Sequence, residues 1–159
     1  MLRLMRLGLG CLPLVLYSAF VEARNQYFNV SMWPDSEEAC PLPQEIKKHA
    51  EIFTSPAKTD DAEWVGVLVG GQNEGVTDFE KGLFVLTQDD YNGVGVLSSC
   101  IYRTSGGKYL NLRLELGKQY QRTMWIERVS QWKPSSDHPS PVMLECDSKD
   151  LAGCAFHLE

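Results

Sequence analysis

The 159-residue sequence is short of cations: 15 lysines and arginines stand against 21 aspartates and glutamates, a formal charge of −6. Nucleic acid and anionic lipid both need clustered positive charge to neutralise phosphate, so neither is expected as a partner. A basic protein partner suits this balance better. Only three histidines are present, His49, His138 and His157, and none stands at a spacing that serves a hydrolase. There is no G-x-S-x-G elbow, no H-E-x-x-H and no glycine-rich phosphate loop. The absence of any C-x-x-C pair removes the usual framework of a zinc site. No repeat, linker or low-complexity tract divides the chain, whose length suits one domain with a single core. Neither catalysis nor a cofactor or metal is expected.

What is present begins with an export signal. Arg3 and Arg6 precede an apolar run from Leu7 to Phe20, and Val21-Glu22-Ala23 ends in a small residue. The run is short for a membrane-spanning helix, which needs about 20 apolar residues. Residues 1–23 therefore read as a secretory signal peptide cut after Ala23, leaving 24–159 as one exported domain without a membrane span. Cys11 lies inside the apolar run and does not read as a lipidation site. Cleavage removes Arg3, Arg6 and Glu22, a net +1, so −6 becomes −7. Cys40, Cys100, Cys146 and Cys154 remain, an even number in an exported chain, which reads as two disulfides. Four cysteines allow three pairings, of which Cys40–Cys100 with Cys146–Cys154 is favoured.

In chain order, Arg24 to Ala39 is polar and irregular, with a sequon at Asn29-Val30-Ser31. Pro43 suits a first helical position, and Ile46, Ala50 and Phe53 recur at helical spacing, which predicts a short helix over 44–53. Glu63 to Gly70 is apolar on both faces and reads as a central strand, with Gly66 admitting a large side chain or a neighbouring backbone. Strands are predicted at 82–87, 94–103, 141–146 and 154–158. Between Lys108 and Leu116, four leucines alternate with Asn111, Arg113 and Glu115, the period of a strand with one dry face. Thr123 to Val129 reads as the second arm of a hairpin, with Met124 and Ile126 inward and Trp125 outward. The expected fold is thus α+β: a twisted antiparallel β-sheet of about six strands with a short N-terminal helix and two disulfides.

The candidate chemistry is recognition at a surface. Trp125 and Glu127 lie on the wet face of the hairpin, Trp132 precedes a Pro- and Ser-rich loop carrying Asp137, and Asp89-Asp90-Tyr91 forms an acidic-aromatic turn. Tryptophan and tyrosine most often carry interface energy, and surrounding acids complement a basic partner. The bland alternative is that Trp125 packs against a second layer and Trp132 plugs the end of the sheet. A calcium loop at Asp89, Asp90 and Asn92 is not expected, since adjacent aspartates diverge and no glutamate completes the set.

Cys40-Pro41 followed by Ile46-Lys47, Trp64-x-Gly66-Val67-Leu68, Cys100-x-Tyr102, Ser130-x-Trp132-Lys133, Leu144-Glu145-Cys146 and Cys154-x-Phe156 resemble a family of small exported proteins of Gram-negative bacteria. The resemblance covers Cys40 to Phe156. It implies a periplasmic binding protein, and the chain looks like the immunity proteins that protect a bacterium from its own type VI secretion effectors. A phospholipase D-type lipase is the effector class the resemblance suggests. Such proteins have no active site and occlude the catalytic cleft of the toxin. The alternatives are a periplasmic ligand-binding or envelope-maintenance module and a secreted effector.

Overall fold

The computed structural model describes residues 37–87, 93–118, 123–137, 142–150 and 153–158. The export signal predicted at residues 1–23 lies outside them. The described residues form an antiparallel sheet of eleven strands that curls on itself, with no α-helix among them. The strands are β1 (Glu37–Ala39), β2 (Lys47–His49), β3 (Ile52–Pro56), β4 (Glu63–Val67), β5 (Val76–Leu86) and β6 (Val94–Thr104). They continue as β7 (Tyr109–Glu115), β8 (Met124–Ile126), β9 (Lys133–Pro134), β10 (Met143–Cys146) and β11 (Ala155–Leu158).

The sheet is organised around β6. One edge of β6 pairs with β5 along its length, from Val76 opposite Thr104 to Leu86 opposite Gly95. Its other edge is shared: Val94 and Gly95 pair with β8, whereas Cys100 to Arg103 pair with β7. Two branches leave this fork. One runs β7-β4-β3-β2, the other β8-β11-β1, and β10 and β9 extend the sheet beyond β5. The branches face one another across a core of Phe53, Trp64, Phe84, Tyr102, Leu110, Leu112 and Phe156. Trp64 of β4 meets Phe156 of β11 edge to face, ring centroids 6.3 Å apart.

Local patterning is obeyed within strands. Leu110 and Leu112 are buried and Leu114 half-buried, while Asn111, Arg113 and Glu115 face solvent. Met124 and Ile126 are inward and Trp125 outward. Both favoured disulfides form, Cys40–Cys100 and Cys146–Cys154, each with Cα atoms 5.7 Å apart.

The expected α+β class is corrected to all-β. In place of the helix over 44–53 the chain makes one 3-10 turn at Pro43–Glu45, then β2, a two-residue turn and β3. Pro43 does open the turn, and Glu45 accepts the Leu42 amide at 2.9 Å. Ile46 is already extended, however, and Ala50, placed on the helix face by its spacing, is left-handed at φ 57° in the hairpin turn. Phe53 and Ser55 point inward on a period of two, and β3 gains a five-position ladder with β4. Non-local pairing and burial of Phe53 outweigh a weak three-residue helical spacing.

The predicted hairpin over 108–129 is likewise corrected. Its two arms form, but β7 pairs with β6 and β4, whereas β8 pairs with β6 and β11. The number of strands, eleven against about six, rises through β2 and β3 in place of the helix and through short pairings at β1 and β9 that the sequence pattern is too brief to show.

Gly66 meets its expected role. A Cβ there would fall 2.5 Å from the Asn111 carbonyl oxygen and 2.9 Å from a Leu112 methyl, so β4 and β7 approach only because glycine stands between them. Gly66→Ala is expected to cost about 1–3 kcal/mol through forced separation of the strands. Urea unfolding checks this, and a variant as stable as the parent would refute it.

Candidate functional site

The outward face of the β2-β3-β4-β7 branch presents aliphatic side chains to solvent. Along β3 and β4 the period of two sends Phe53, Ser55, Trp64 and Gly66 inward, and Ile52, Thr54, Val65 and Val67 outward. Ile52 stands directly opposite Val67, and Val65 lies between Thr54 and Arg113. Val67 is 61% exposed and Ile52 45%, and Val69, just past the strand, is 82% exposed. The stretch 63–70, read as a central strand, does have neighbours on both edges of β4, but on its outer face Val67 is bare and Val65 only half-buried.

The turn that carries Val69 is held from several sides. The Gly70 amide donates to the Glu51 carboxyl at 2.7 Å, and the Lys108 ammonium donates to the Gly70 carbonyl at 3.3 Å. Lys108 also pairs with Glu74 at 2.8 Å. The hydrogen bonds from Lys108 and then Thr104 hold the Glu74 carboxyl below its ordinary range, so this clamp persists at neutral pH and loosens only in acid.

Charge brackets the aliphatic row. At one end the Lys47 cation of β2 lies opposite Thr54, beside the row. At the other, Glu63 stands directly opposite Glu115, and both are exposed. Like charges directly opposite each other disfavour a pair of strands, so this end gains from a cationic partner. An apolar centre with charged ends of opposite sign has the composition of a protein-docking surface.

The residues expected to touch a partner fall elsewhere. Trp125 is half-buried on the outer side of β8, between Val94 and His157 of the adjacent strands. Glu127 contacts the Nε2 atom of His157, so Trp125, Glu127 and His157 form one group. Asp137 belongs to another: with Glu145 it binds the Lys81 ammonium, and the hydrogen bond from Lys81 to Asp137 leads in holding that ammonium above its ordinary pKa. Trp132 is only 6% exposed and packs edge to face on Phe84 at 5.6 Å over Gly82, so it is a core plug. Asp89, Asp90 and Tyr91 lie outside the described residues. The aliphatic row was missed because the sequence signals an apolar strand without saying whether anything covers it.

The chain from just before β1 into β11, residues 35–157, matches the family model described as Protein of unknown function (DUF3757). The chain belongs to this family. No curated protein and no solved structure matches it. The DUF3757 match takes in both disulfides and the whole outer face of β3 and β4. Among the described residues no helix is long and apolar enough to cross a membrane, and no cluster of His, Cys, Asp and Glu could hold a metal ion.

Proposed function

We propose that this chain is an exported binding protein that inhibits a protein partner by contact, as an immunity protein inhibits a type VI secretion effector of the phospholipase D type. The observation that supports contact with a protein is the exposed aliphatic row Ile52, Val67 and Val69 between a cationic and an anionic end. Two disulfides fit folding in an oxidising compartment, here the periplasm. The identity of the partner class rests on the resemblance of the cysteine and aromatic motifs.

Capture of partners from the native host with tagged oxidised protein, followed by mass spectrometry, tests this. The expected result is one stoichiometric partner with a hydrolase active site, inhibited on binding. Val67→Asp is expected to weaken capture roughly tenfold or more, about 1.4 kcal/mol, with an unchanged melting transition. Trp125→Ala reports on the β8–β11 surface instead. Loss of capture in that variant alone would move the contact away from β3 and β4. Recovery of no partner while hydrolase toxins are expressed would sink the inhibitor reading.

A further inference from the structure

A cleft of about 660 Å³ lies between the segment Pro41–Glu45, the end of β3, the start of β5, the residues Ser148–Asp150 and Cys154. That volume is within the range of about 300–1,000 Å³ typical of ligand sites. The walls are apolar and stiff, formed by Pro41, Leu42, Pro43, Pro56, Phe79 and Trp64. The Tyr102 hydroxyl donates to the Pro41 carbonyl at 2.7 Å, and burial pushes its phenol far above the ordinary range, so this anchor stays protonated. The Cys40–Cys100 bond ties the same wall to β6. A cleft built this way is shaped before any ligand arrives.

The start of β5 is irregular just where it lines the cleft. Register shifts on both sides, between Val76 and Asp78 and between Phe79 and Lys81, bracket Asp78 and Phe79. Such bulges re-aim side chains, and here two consecutive residues, Asp78 and Phe79, both line the cleft. Arg103 stands directly opposite Asp78 in the ladder but is held elsewhere, by Glu80 at 2.7 Å and by the Tyr109 hydroxyl at 2.8 Å. The exposed Asp78 carboxyl makes no hydrogen bond or ion pair with any described residue. Across from it, the Lys149 ammonium is bound to the Phe79 carbonyl and lies 5.5 Å from the centre of the Phe79 ring. Glu38, Glu45, Asp78 and Asp150 thus outnumber Lys58 and Lys149 in the lining, four to two; Glu38 is buried and already holds its own donors, and of the two cations Lys149 is already engaged.

We infer that this cleft binds a short peptide segment bearing a lysine or arginine side chain, with the cation on Asp78 and the apolar body against the proline and aromatic walls. The site is separate from the aliphatic row on β3 and β4 and does not depend on the inhibitor reading. Proline and aromatic walls suit an extended backbone, and the unneutralised acid selects the charge.

The probe is fluorescein-labelled leucyl-lysyl-leucinamide, titrated into the oxidised full chain by fluorescence polarisation beside its glutamyl and norleucyl counterparts. The lysyl peptide is expected to bind saturably, roughly tenfold or more tighter than either counterpart, and to weaken as salt is raised. Asp78→Lys is expected to lose at least that factor without a change in melting. Asp78→Asn, which keeps the shape, serves as the second variant if the lysine does not fold. Amide shifts on binding are expected at Ala57, Asp78 and Phe79. Equal affinity for the three peptides, no saturable binding, full affinity in the Asp78 variants, or shifts confined to the outer face of β3 and β4 would each overturn the inference.

Discussion

Glu38→Ala is expected to destabilise the fold by about 3–4 kcal/mol, lowering the melting temperature on the order of 10 °C. Glu38 is 2% exposed, and its carboxyl oxygens are surrounded by donors. The Lys58 amide donates at 2.8 Å, the Thr59 amide at 3.1 Å, the Thr59 hydroxyl at 3.2 Å and the Trp64 indole at 3.3 Å. One acidic side chain on β1 therefore ties the β8-β11-β1 branch to the turn after β3 and to β4. Replacing a buried ion pair by hydrocarbon can be neutral when both partners go together. Here the donors are main-chain amides and an indole that stay in place, each left without an acceptor at about 1–3 kcal/mol. Glu38→Gln keeps the shape but turns an amide NH2 toward other donors, so it is expected to recover less than half the loss. Thermal and urea unfolding decide the matter. A Glu38→Ala protein within about 1 kcal/mol of the parent would mean that the branches are not joined through this residue.

Removing the Cys40–Cys100 bond as the Cys40→Ala/Cys100→Ala pair is expected to cost about 4 kcal/mol, by the loop-entropy relation for its separation of 60 residues. The same relation gives about 2.5 kcal/mol for Cys146–Cys154, eight residues apart. Alanine is the proper replacement because Cys100 and Cys146 are fully buried and a hydroxyl there would add a desolvation cost. The two double variants, compared in urea, should therefore rank in that order. The reverse order would refute the loop-length account and point to packing around the Ser148–Asp150 wall as the larger contribution of the short loop. Of the two disulfides only the long-loop one fastens the segment before β2 to the central strand, so its loss should also speed hydrogen exchange at the Leu42 and Tyr102 amides.

How much was legible beforehand differs by level. Which face of a strand is dry was readable for β7 and β8, because alternation of leucine with Asn, Arg and Glu is a property of the strand itself. Which strand lies next to it was not, and the β7–β8 hairpin failed on that count. The two arms are consecutive in sequence, yet β6 is long enough to offer β7 one half of its edge and β8 the other. The stretch 44–53 was misread because Ile46, Ala50 and Phe53 fit a helical spacing in three places, while the left-handed Ala50 and the ladder to β4 depend on residues far away.

The functional residues divide the same way. Trp132 satisfied every compositional sign of an interface anchor, and only its packing against Phe84 and over Gly82 made it core. Glu38, in a stretch that reads as polar and irregular, became a buried clamp because Trp64 and two amides converge on it.

From its sequence alone this chain was committed to two disulfides, to strands with set inner and outer faces in β7 and β8, and to a close approach at Gly66, all consequences of cysteine chemistry, side-chain alternation and local steric size. Tertiary structure decided which cysteines pair, that the class is all-β, that β6 divides its edge between two branches, that β4 and β7 are the strands meeting at Gly66, that Val67 on the outer face of β4 stays bare and that a cleft opens beside Asp78. Those features arise between segments distant in sequence, where pairing and burial depend on what each strand finds beside it.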